Sequence, residues 1–204
     1  MPNVAVIDYG MGNVASVLKA LEKIGVPAVL TADHDEIRKA THIILPGVGA
    51  FGDGIKNLSE RGLIELLTSE VVEKKKPFLG ICLGMQLLGT KGYEFGEHQG
   101  LGWIDGSVIK FDIDPTLRLP HIGWNNITAK PGSKLFENIP DQNFYFVHSF
   151  HLVPTDPSCI SATCEYGIKF AAAIEHENIM ATQFHPEKSQ ESGLAVLKKF
   201  FSYA

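Results

Sequence analysis

Residues 77–88 have the sequence PFLGICLGMQLL, and this stretch decides the fold. Residues 77–81 predict a short buried strand, and the residues from Cys82 onwards predict the first turns of a helix. Gly80 and Gly84 flank the cysteine, so the backbone can pass close to its neighbours without Cβ clashes. The pattern is the nucleophile elbow G-x-S-x-G with sulfur in place of oxygen. A thiol at such a turn projects into a cleft, where the N-terminus of the helix favours the thiolate.

Strand and helix alternate along the first half of the chain. Strands are predicted at residues 3–7, 28–30, 42–45 and 77–81. Helices are predicted after Asn13, which caps the first of them, from about residue 35, and over residues 55–74 with a break at Arg61-Gly62. This alternation predicts an α/β fold with a central, mostly parallel sheet, right-handed crossovers and flanking helices.

After about residue 100 the chain changes to shorter strands with turn signals between them. These strands are predicted at residues 107–111, 124–129, 144–147, 158–164, 171–175 and 179–183. Ser189 is expected to cap a final helix over about residues 191–201. Because no repeat, low-complexity tract or linker is present, residues 1–204 predict a single domain with additional short antiparallel strands in its second half.

The composition excludes several classes of protein. Of the 204 residues, 45% are hydrophobic and 20% are charged, as in ordinary globular proteins, and the net charge of −5 gives no reason to expect nucleic acid or an anionic membrane as partner. No signal peptide is predicted, and no apolar run approaches the roughly 18–20 residues of a membrane helix. Three cysteines without CxxC spacing indicate a reducing compartment, for which we expect the cytoplasm. The histidines show no metal-site spacing, so no metal and no cofactor are predicted.

A second motif lies about a hundred residues after the cysteine, where residues 184–189 have the sequence FHPEKS. A histidine can hold a thiolate as an ion pair and later protonate a leaving nitrogen. Glu187 follows His185 across a rigid proline and is placed to orient the imidazole ring. Either residue alone is more simply explained as a surface side chain, but together with Cys82 they predict the cysteine version of a catalytic triad.

A third motif supplies candidate oxyanion donors. Residues 46–49 have the sequence PGVG and directly follow the predicted strand 42–45. An acyl-transfer site needs backbone N–H groups that point at the developing oxyanion. Leu83, after the nucleophile, is one natural donor, and the glycine-rich loop allows the backbone excursion that a second donor needs. The alternative is an ordinary turn from strand to helix.

These motifs together resemble a known family. GICLGMQ at residues 80–86 and HPE at residues 185–187 are similar to the class I, or triad, glutamine amidotransferases. Within the class, the chain is similar to the glutaminase subunits of imidazole glycerol phosphate synthase, from Val4 to the C-terminus. That closer likeness is carried by DYGMGN at 8–13, PGVGAF at 46–51, HIGWN at 121–125 and YFVHS at 145–149.

The resemblance implies an activity and roles for the motif residues. L-glutamine would be hydrolysed to glutamate and ammonia through a thioester on Cys82, with His185 and Glu187 completing the triad. The backbone N–H groups of Leu83 and Gly49 would form the oxyanion hole, and Val48 would belong to a peptide that flips on activation.

The resemblance also implies substrate contacts and a partner. Gln86, Glu94 and the segment His148, Ser149 and Phe150 would contact glutamine. Ammonia would pass to a cyclase subunit with a (β/α)₈ barrel, in a heterodimer that makes imidazole glycerol phosphate and an aminoimidazole carboxamide ribonucleotide for histidine biosynthesis.

The partner would dock on the surface around Trp124 and Asn125. For Trp124 the alternative is a buried core residue.

Three other functions stay open at this point. Residues 10–15 satisfy the dinucleotide fingerprint G-x-G-x-x-A, and Asp33 follows the second strand, but tight strand-to-helix turns select glycine in many α/β folds. A glutaminase that serves a different acceptor synthase would carry the same motifs. A non-catalytic protein could be built on the same sheet. A dehydrogenase leaves the cysteine elbow and the His-Pro-Glu segment unexplained.

Overall fold

The computed structural model describes residues 2–203, in which strands and helices alternate through the first half of the chain. The strands are β1 Val4–Ile7, β2 Ala28–Thr31, β3 His42–Gly47, β4 Phe78–Cys82, β5 Gly89–Gly92, β6 His98–Gln99, β7 Ile104–Lys110, β8 His121–Ala129, β9 Asn143–His148, β10 Phe150–Pro154, β11 Ile160–Tyr166, β12 Ile168–His176 and β13 Ile179–Thr182. The helices are α1 Val14–Lys23, α2 His34–Lys39, α3 Phe51–Glu60, α4 Leu63–Thr68, α5 Leu83–Gln86 and α6 Gln190–Tyr203. A π-helical turn covers Ser69–Glu73, and 3₁₀ turns cover Pro157–Cys159 and Pro186–Lys188.

The central sheet has the strand order β2-β1-β3-β4-β13-β12-β11-β8-β9. Its first five strands are parallel, and the four that follow pair antiparallel. All residues of β1, β3 and β4 are buried, as expected for parallel strands covered on both faces. The α/β fold is therefore confirmed, with a sheet that is mixed because the antiparallel strands of the second half extend it.

Two apolar layers cover the two faces of this sheet. Alternate residues of β1 and β3 face opposite sides, so Val6 packs with α1 and α6 while Ile7 packs with α2 to α5. Helix α1 buries Val17, Ala20 and Leu21, which follow the helical period expected from the sequence. Gly62, with φ 62°, separates α3 from α4 at the predicted break.

A second, four-stranded sheet has the order β10-β7-β5-β6. The sequence predicted β7 in part but not β5, β6 or β10. Strand β5 consists of Gly89–Gly92 and has no apolar alternation, so its pairing with β6 and β7 is set by tertiary structure.

Two predicted helix caps are wrong in their chemistry. Asn13 occupies the position before α1, but its side chain makes no capping hydrogen bond. Ser189 directly precedes α6, but its hydroxyl bonds to Tyr145 and His185. By contrast, Asp33 caps α2 with its carboxylate, which accepts from the N–H groups of Asp35 and Glu36.

The topology brings the three sequence motifs to one place. Gly47 pairs with Cys82 at the carboxyl ends of β3 and β4, and Thr182 pairs with Ile81 on the other side of β4. The segments that leave these three strands carry the glycine loop, the cysteine and the His-Pro-Glu motif. Their convergence at the carboxyl ends of parallel strands creates the site.

Candidate active site

Cys82 has the strained backbone of a nucleophile elbow. Its φ of 54° and ψ of −105° are rare for a residue with a side chain. A Cβ at Gly84 would lie 1.8 Å from the Leu45 carbonyl oxygen, and one at Gly80 would lie 2.7 Å from the Gly84 carbonyl oxygen. The predicted reason for the flanking glycines is therefore confirmed.

His185 and Glu187 form a buried pair. The distance from His185 Nδ1 to Glu187 Oε1 is 2.8 Å, and both side chains are almost fully buried. Burial lowers the pKa of His185, but the adjacent Cys82 sulfur and the Glu187 carboxylate raise it to about 10. The imidazole therefore carries a proton at neutral pH. Within residues 2–203 its Nε2 atom is buried and makes no hydrogen bond that would divert it from Cys82.

Three hydrogen bonds hold the backbone of His185 against β9. The His185 N–H donates to the Tyr145 carbonyl oxygen at 2.9 Å. The Ser189 hydroxyl accepts from the Tyr145 N–H at 3.0 Å and donates to the His185 carbonyl oxygen at 2.6 Å. Because Ser189 is fully buried, this arrangement fixes the histidine without solvent.

The cysteine opens into a cavity of about 330 Å³. The lining residues are Val48, Gly49, Cys82, Leu83, Gln86, Glu94, Val147, His148, Ser149, Phe150 and Lys188. An open cavity of about 490 Å³ lies elsewhere, around Lys130 to Glu137, and none of the predicted site residues lines it. The smaller cavity is the candidate site because every side chain predicted to meet glutamine lines it.

The two candidate oxyanion donors come from different segments, the start of α5 and the loop after β3. Leu83 is the first residue of α5. Gly49 adopts φ 117°, and a Cβ there would lie 2.7 Å from the Met11 methyl carbon. Both residues line the cavity, where a bound acyl group would meet the cysteine.

Gln86 and Glu94 line the cavity but also hold its walls. The Gln86 Nε2 atom donates to the Phe150 carbonyl oxygen at 2.9 Å and to Gln183 Oε1 at 3.2 Å. Glu94 Oε2 accepts from the backbone N–H of Phe51 at 2.9 Å, at the start of α3. Since both Gln86 amide hydrogens are engaged, only its oxygen could accept from a ligand.

His148, Ser149 and Phe150 form another wall of the cavity. His148 is buried, and its ring contacts His121 and the Phe150 carbonyl oxygen. Trp124 and Asn125 lie outside the cavity lining, on the neighbouring strand β8. Trp124 is 46% exposed, so the alternative of a core tryptophan is wrong.

Three residues near the cysteine were not predicted from the sequence. Gln183 is fully buried, and its Nε2 atom is 3.7 Å from Cys82 Sγ. Lys188 lines the cavity. The Tyr9 hydroxyl is buried near Gly47 without a hydrogen-bond partner in the described part of the chain, and burial together with the Cys82 charge raises its pKa. A signal for Gln183 was its polar side chain at the end of an apolar strand, two residues before His185.

The dinucleotide alternative loses its structural basis. A Cβ at Gly12 would lie 3.3 Å from the Gly47 Cα atom, so close packing between two strand-end turns explains this glycine. Asp33 uses its carboxylate to cap α2. Between residues 2 and 203, no group of three or more His, Cys, Asp or Glu side chains could hold a metal ion, and no helix has the length and apolarity to cross a membrane.

Comparisons with known proteins agree with this geometry. Residues 5–204 match the family described as glutamine amidotransferase class-I. The imidazole glycerol phosphate synthase subunit HisH of Geobacter sulfurreducens is 50% identical, over 98% of each chain. The protein of the same description from Aquifex aeolicus is 49% identical, over 96% of this chain and 94% of that one. A chain in the structure of PurLQS from Thermotoga maritima has a TM-score of 0.77 at 19% identity, covering 99% and 98% of the two chains, which shows a shared fold.

Proposed function

Because this chain belongs to the class-I glutamine amidotransferases and, within them, to the HisH subunits, we propose that Cys82 attacks the side-chain amide of L-glutamine. The chain is the glutaminase subunit of an imidazole glycerol phosphate synthase and acts in histidine biosynthesis. The observation that carries this function is the strained Cys82 elbow, which opens into a cavity beside the buried His185–Glu187 pair.

The thiolate of Cys82 forms a bond to the amide carbon, and the carbonyl electrons move to oxygen. The N–H groups of Leu83 and Gly49 stabilise this oxyanion, the second of them once the peptide between Val48 and Gly49 points its N–H into the cavity. The placement of both residues around the cysteine supports these roles.

His185 performs both proton transfers. As an imidazolium it donates its Nε2 proton to the leaving nitrogen, so that the C–N bond breaks and ammonia departs. The neutral imidazole then takes a proton from water, whose oxygen attacks the thioester and releases glutamate and the thiolate. Glu187 keeps the ring oriented through Nδ1 and stabilises its charge, as the 2.8 Å contact supports.

The cavity walls recognise the rest of the glutamine molecule. Gln86, Glu94 and the segment of His148, Ser149 and Phe150 contact its amide, ammonium and carboxylate groups. Their common position in the cavity lining supports this assignment. The site needs no cofactor, because the triad and backbone donors account for each step.

A cyclase subunit receives the ammonia. We propose that this partner is a (β/α)₈ barrel, that it docks on the face around Trp124 and Asn125, and that the pair is a heterodimer. The names of the relatives and the exposure of Trp124 support this arrangement. The same names favour the histidine-pathway acceptor over the acceptor of another synthase.

We further propose that residues 1–204 act as one glutamine amidotransferase domain in the cytoplasm. The family match over residues 5–204 supports the first statement. The three free thiols of Cys82, Cys159 and Cys164 support the second, because such thiols persist in reducing compartments.

The function is tested with a Cys82→Ser variant in complex with the cyclase partner. Synthesis from glutamine should fall by about 10³-fold or more, because triad residues act as a unit. Synthesis from added ammonium salt should be unchanged. A glutamine analogue such as diazo-oxo-norleucine should label the wild-type chain at Cys82.

Cys159→Ser is the matched control. Its thiol is buried outside the cavity and donates to the Asp156 carbonyl oxygen, a bond that a hydroxyl preserves. This variant should keep both activities. Glutamine hydrolysis that persists in a clean Cys82→Ser preparation would rule out the assigned nucleophile.

A further inference from the structure

We propose that His121 and His148 are positioning residues, which join strand β8 to the wall of the glutamine cavity through a partly buried series of hydrogen bonds. The series runs from Asn125 through His121 and His148 to the Phe150 carbonyl oxygen. Its role in glutamine binding rests on the function proposed above. Its existence rests on contacts within this protein alone.

The donor and acceptor of each hydrogen bond can be assigned by starting from the Phe150 carbonyl oxygen at the cavity. The Phe150 carbonyl oxygen can only accept, so the 2.8 Å contact requires a proton on His148 Nδ1. In a neutral ring, His148 Nε2 must then accept. Its neighbour at 3.2 Å is His121 Nδ1, which therefore carries the His121 proton.

The contacts at the surface end agree with this donor-to-acceptor direction. His121 Nε2, left as an acceptor, lies 3.3 Å from Asn125 Nδ2. That nitrogen also donates to the Glu165 carbonyl oxygen at 3.0 Å, while Asn125 Oδ1 accepts from the Asn126 N–H at 2.8 Å. These contacts fix the orientation of the Asn125 amide.

The environment of the rings keeps this direction fixed. His121 and His148 are 3% and 6% exposed, and burial lowers their pKa values to about 4 and about 3. Both rings are therefore neutral near pH 7. His121 also stacks on Tyr166 with a centroid distance of 4.1 Å and on Phe146 at 5.0 Å, which prevents the ring from rotating freely.

On the cavity side the contacts continue to the nucleophile. The Phe150 carbonyl oxygen also accepts from Gln86 Nε2, which donates in addition to Gln183 Oε1. Gln183 Nε2 in turn faces Cys82 Sγ at 3.7 Å. A displacement of the Phe150 carbonyl would therefore disturb both the cavity wall and the surroundings of the sulfur.

The proposed series of hydrogen bonds is tested first by nitrogen NMR of the histidine rings in the wild-type protein at pH 7. Both His121 and His148 should be neutral with the proton on Nδ1, the minor tautomer of free histidine. A proton on Nε2 of His148 would overturn the proposal without any variant and whatever the enzyme's activity.

The positioning role is tested with His121→Phe in the complex with the cyclase partner. This change keeps a ring in the stack but removes the donor to His148, so the KM for glutamine should rise about three- to tenfold, the usual effect of one hydrogen bond, with kcat within about twofold. His121→Asn, which retains an N–H near the Nδ1 position, should restore most of the wild-type KM.

His151→Phe is the matched control. His151 is buried in the same aromatic cluster, beside Phe111 and Phe170, but neither of its ring nitrogens makes a hydrogen bond within the described chain. Its KM should equal that of the wild type. Equal KM values for His121→Phe and His151→Phe would overturn the positioning role. A wild-type complex that hydrolyses no glutamine would instead refute the function proposed above, and the NMR result would stand.

Discussion

Cys82 holds a backbone conformation that only its neighbours make possible. The residue sits at φ 54° because β4 must turn at once into α5, and Gly84 then passes within contact distance of β3. The glycine spacing alone predicted this turn. A local motif was sufficient because both glycines flank Cys82 in sequence, although the atom that excludes a side chain at Gly84 is the Leu45 carbonyl oxygen on β3.

Gly84→Ala should destabilise the protein severely. The new Cβ would lie 1.8 Å from the Leu45 carbonyl oxygen, so α5 would have to move away from β3. Such overpacking costs about 3 kcal/mol of unfolding free energy, and displacement of Cys82 should abolish glutamine hydrolysis. Urea unfolding of purified protein measures the first effect.

Gly132→Ala is the control for backbone strain alone. Gly132 also has a positive φ, of 84°, but no atom lies within 4 Å of its ideal Cβ position. The cost should be about 1 kcal/mol, with activity retained. Equal losses for the two variants would show that contact with β3 is not the reason for Gly84.

The buried histidines should make the fold sensitive to acid. The pKa of His121 is lowered to about 4 in the folded chain, against about 6.5 in the unfolded chain, so the unfolded state binds more protons between these values. Stability is then fully present above pH 6.5 and is lost as the pH falls towards 4, by roughly 1.4 kcal/mol per pH unit for each such group.

Denaturant unfolding of the wild type and of His121→Phe between pH 7 and pH 4.5 measures this contribution. The unfolding free energy of the variant should fall less steeply as the pH is lowered. The difference in slope should correspond to about one proton fewer taken up on unfolding. Carboxylates titrate in both proteins, so the difference isolates the histidine. Identical slopes would mean that His121 does not titrate on unfolding in this range.

Other residues of the site could not be predicted, because their roles depend on distant segments. Gln183 meets Cys82 only because β13 pairs with β4, about a hundred residues away in sequence. The hydroxyl of Ser189 was expected to cap α6, but it instead accepts from the Tyr145 N–H on β9 and donates to the His185 carbonyl oxygen. Local propensity correctly placed Ser189 next to the start of α6 but did not predict the partners of its hydroxyl group.

At the scale of elements, we expect the loop after β3 to control the rate of glutamine hydrolysis by the isolated chain. We expect slow glutamine hydrolysis by the chain alone and much faster hydrolysis in the cyclase complex. Only one orientation of the peptide between Val48 and Gly49 points an N–H at the oxyanion, and one missing donor costs about 10²–10³ in rate. If the isolated chain hydrolysed glutamine rapidly, ammonia would be released where no acceptor is bound.

Steady-state kcat for glutamine, measured with and without partner and acceptor, checks this expectation. A ratio of about 10² or more supports activation through the loop. Equal rates under all conditions would mean that the oxyanion hole is already complete in the isolated chain.

The elements that the sequence predicted are those with strong local signals. Buried apolar runs gave β1, β3 and β4, and helical periodicity gave α1. Strands β5 and β6 lack such a pattern, and β10, which begins two residues after β9 ends, was not predicted beyond the strand at residues 144–147. These strands form because they pair with segments that are distant in sequence. The same long-range pairing makes the large sheet mixed.

At the scale of the whole molecule, Trp124 should anchor the partner. Its ring is 46% exposed and meets Tyr145 at a centroid distance of 6.2 Å, on strands next to the cavity wall. Trp124→Ala should weaken association with the cyclase by roughly 1–3 kcal/mol, with the thermal midpoint nearly unchanged, because the side chain is not part of the core.

Titration calorimetry and thermal unfolding measure the two quantities. Val29→Ala is the control, since Val29 is 37% exposed on β2, at the opposite end of the large sheet. It should leave association unchanged. A Trp124→Ala chain that binds the partner with wild-type affinity would remove Trp124 from the interface.

The hydrogen bonds around Tyr145 have a further consequence for the molecule in a crowded cell. Strand β9 is the last in its sheet, and unpaired edge strands can recruit other chains and seed aggregation. The outward N–H and C=O of Tyr145 are instead occupied by Ser189 and His185. The segment that carries the candidate catalytic histidine thus also covers part of the edge strand, so damage to it should expose a site for aggregation as well as abolish the proposed activity.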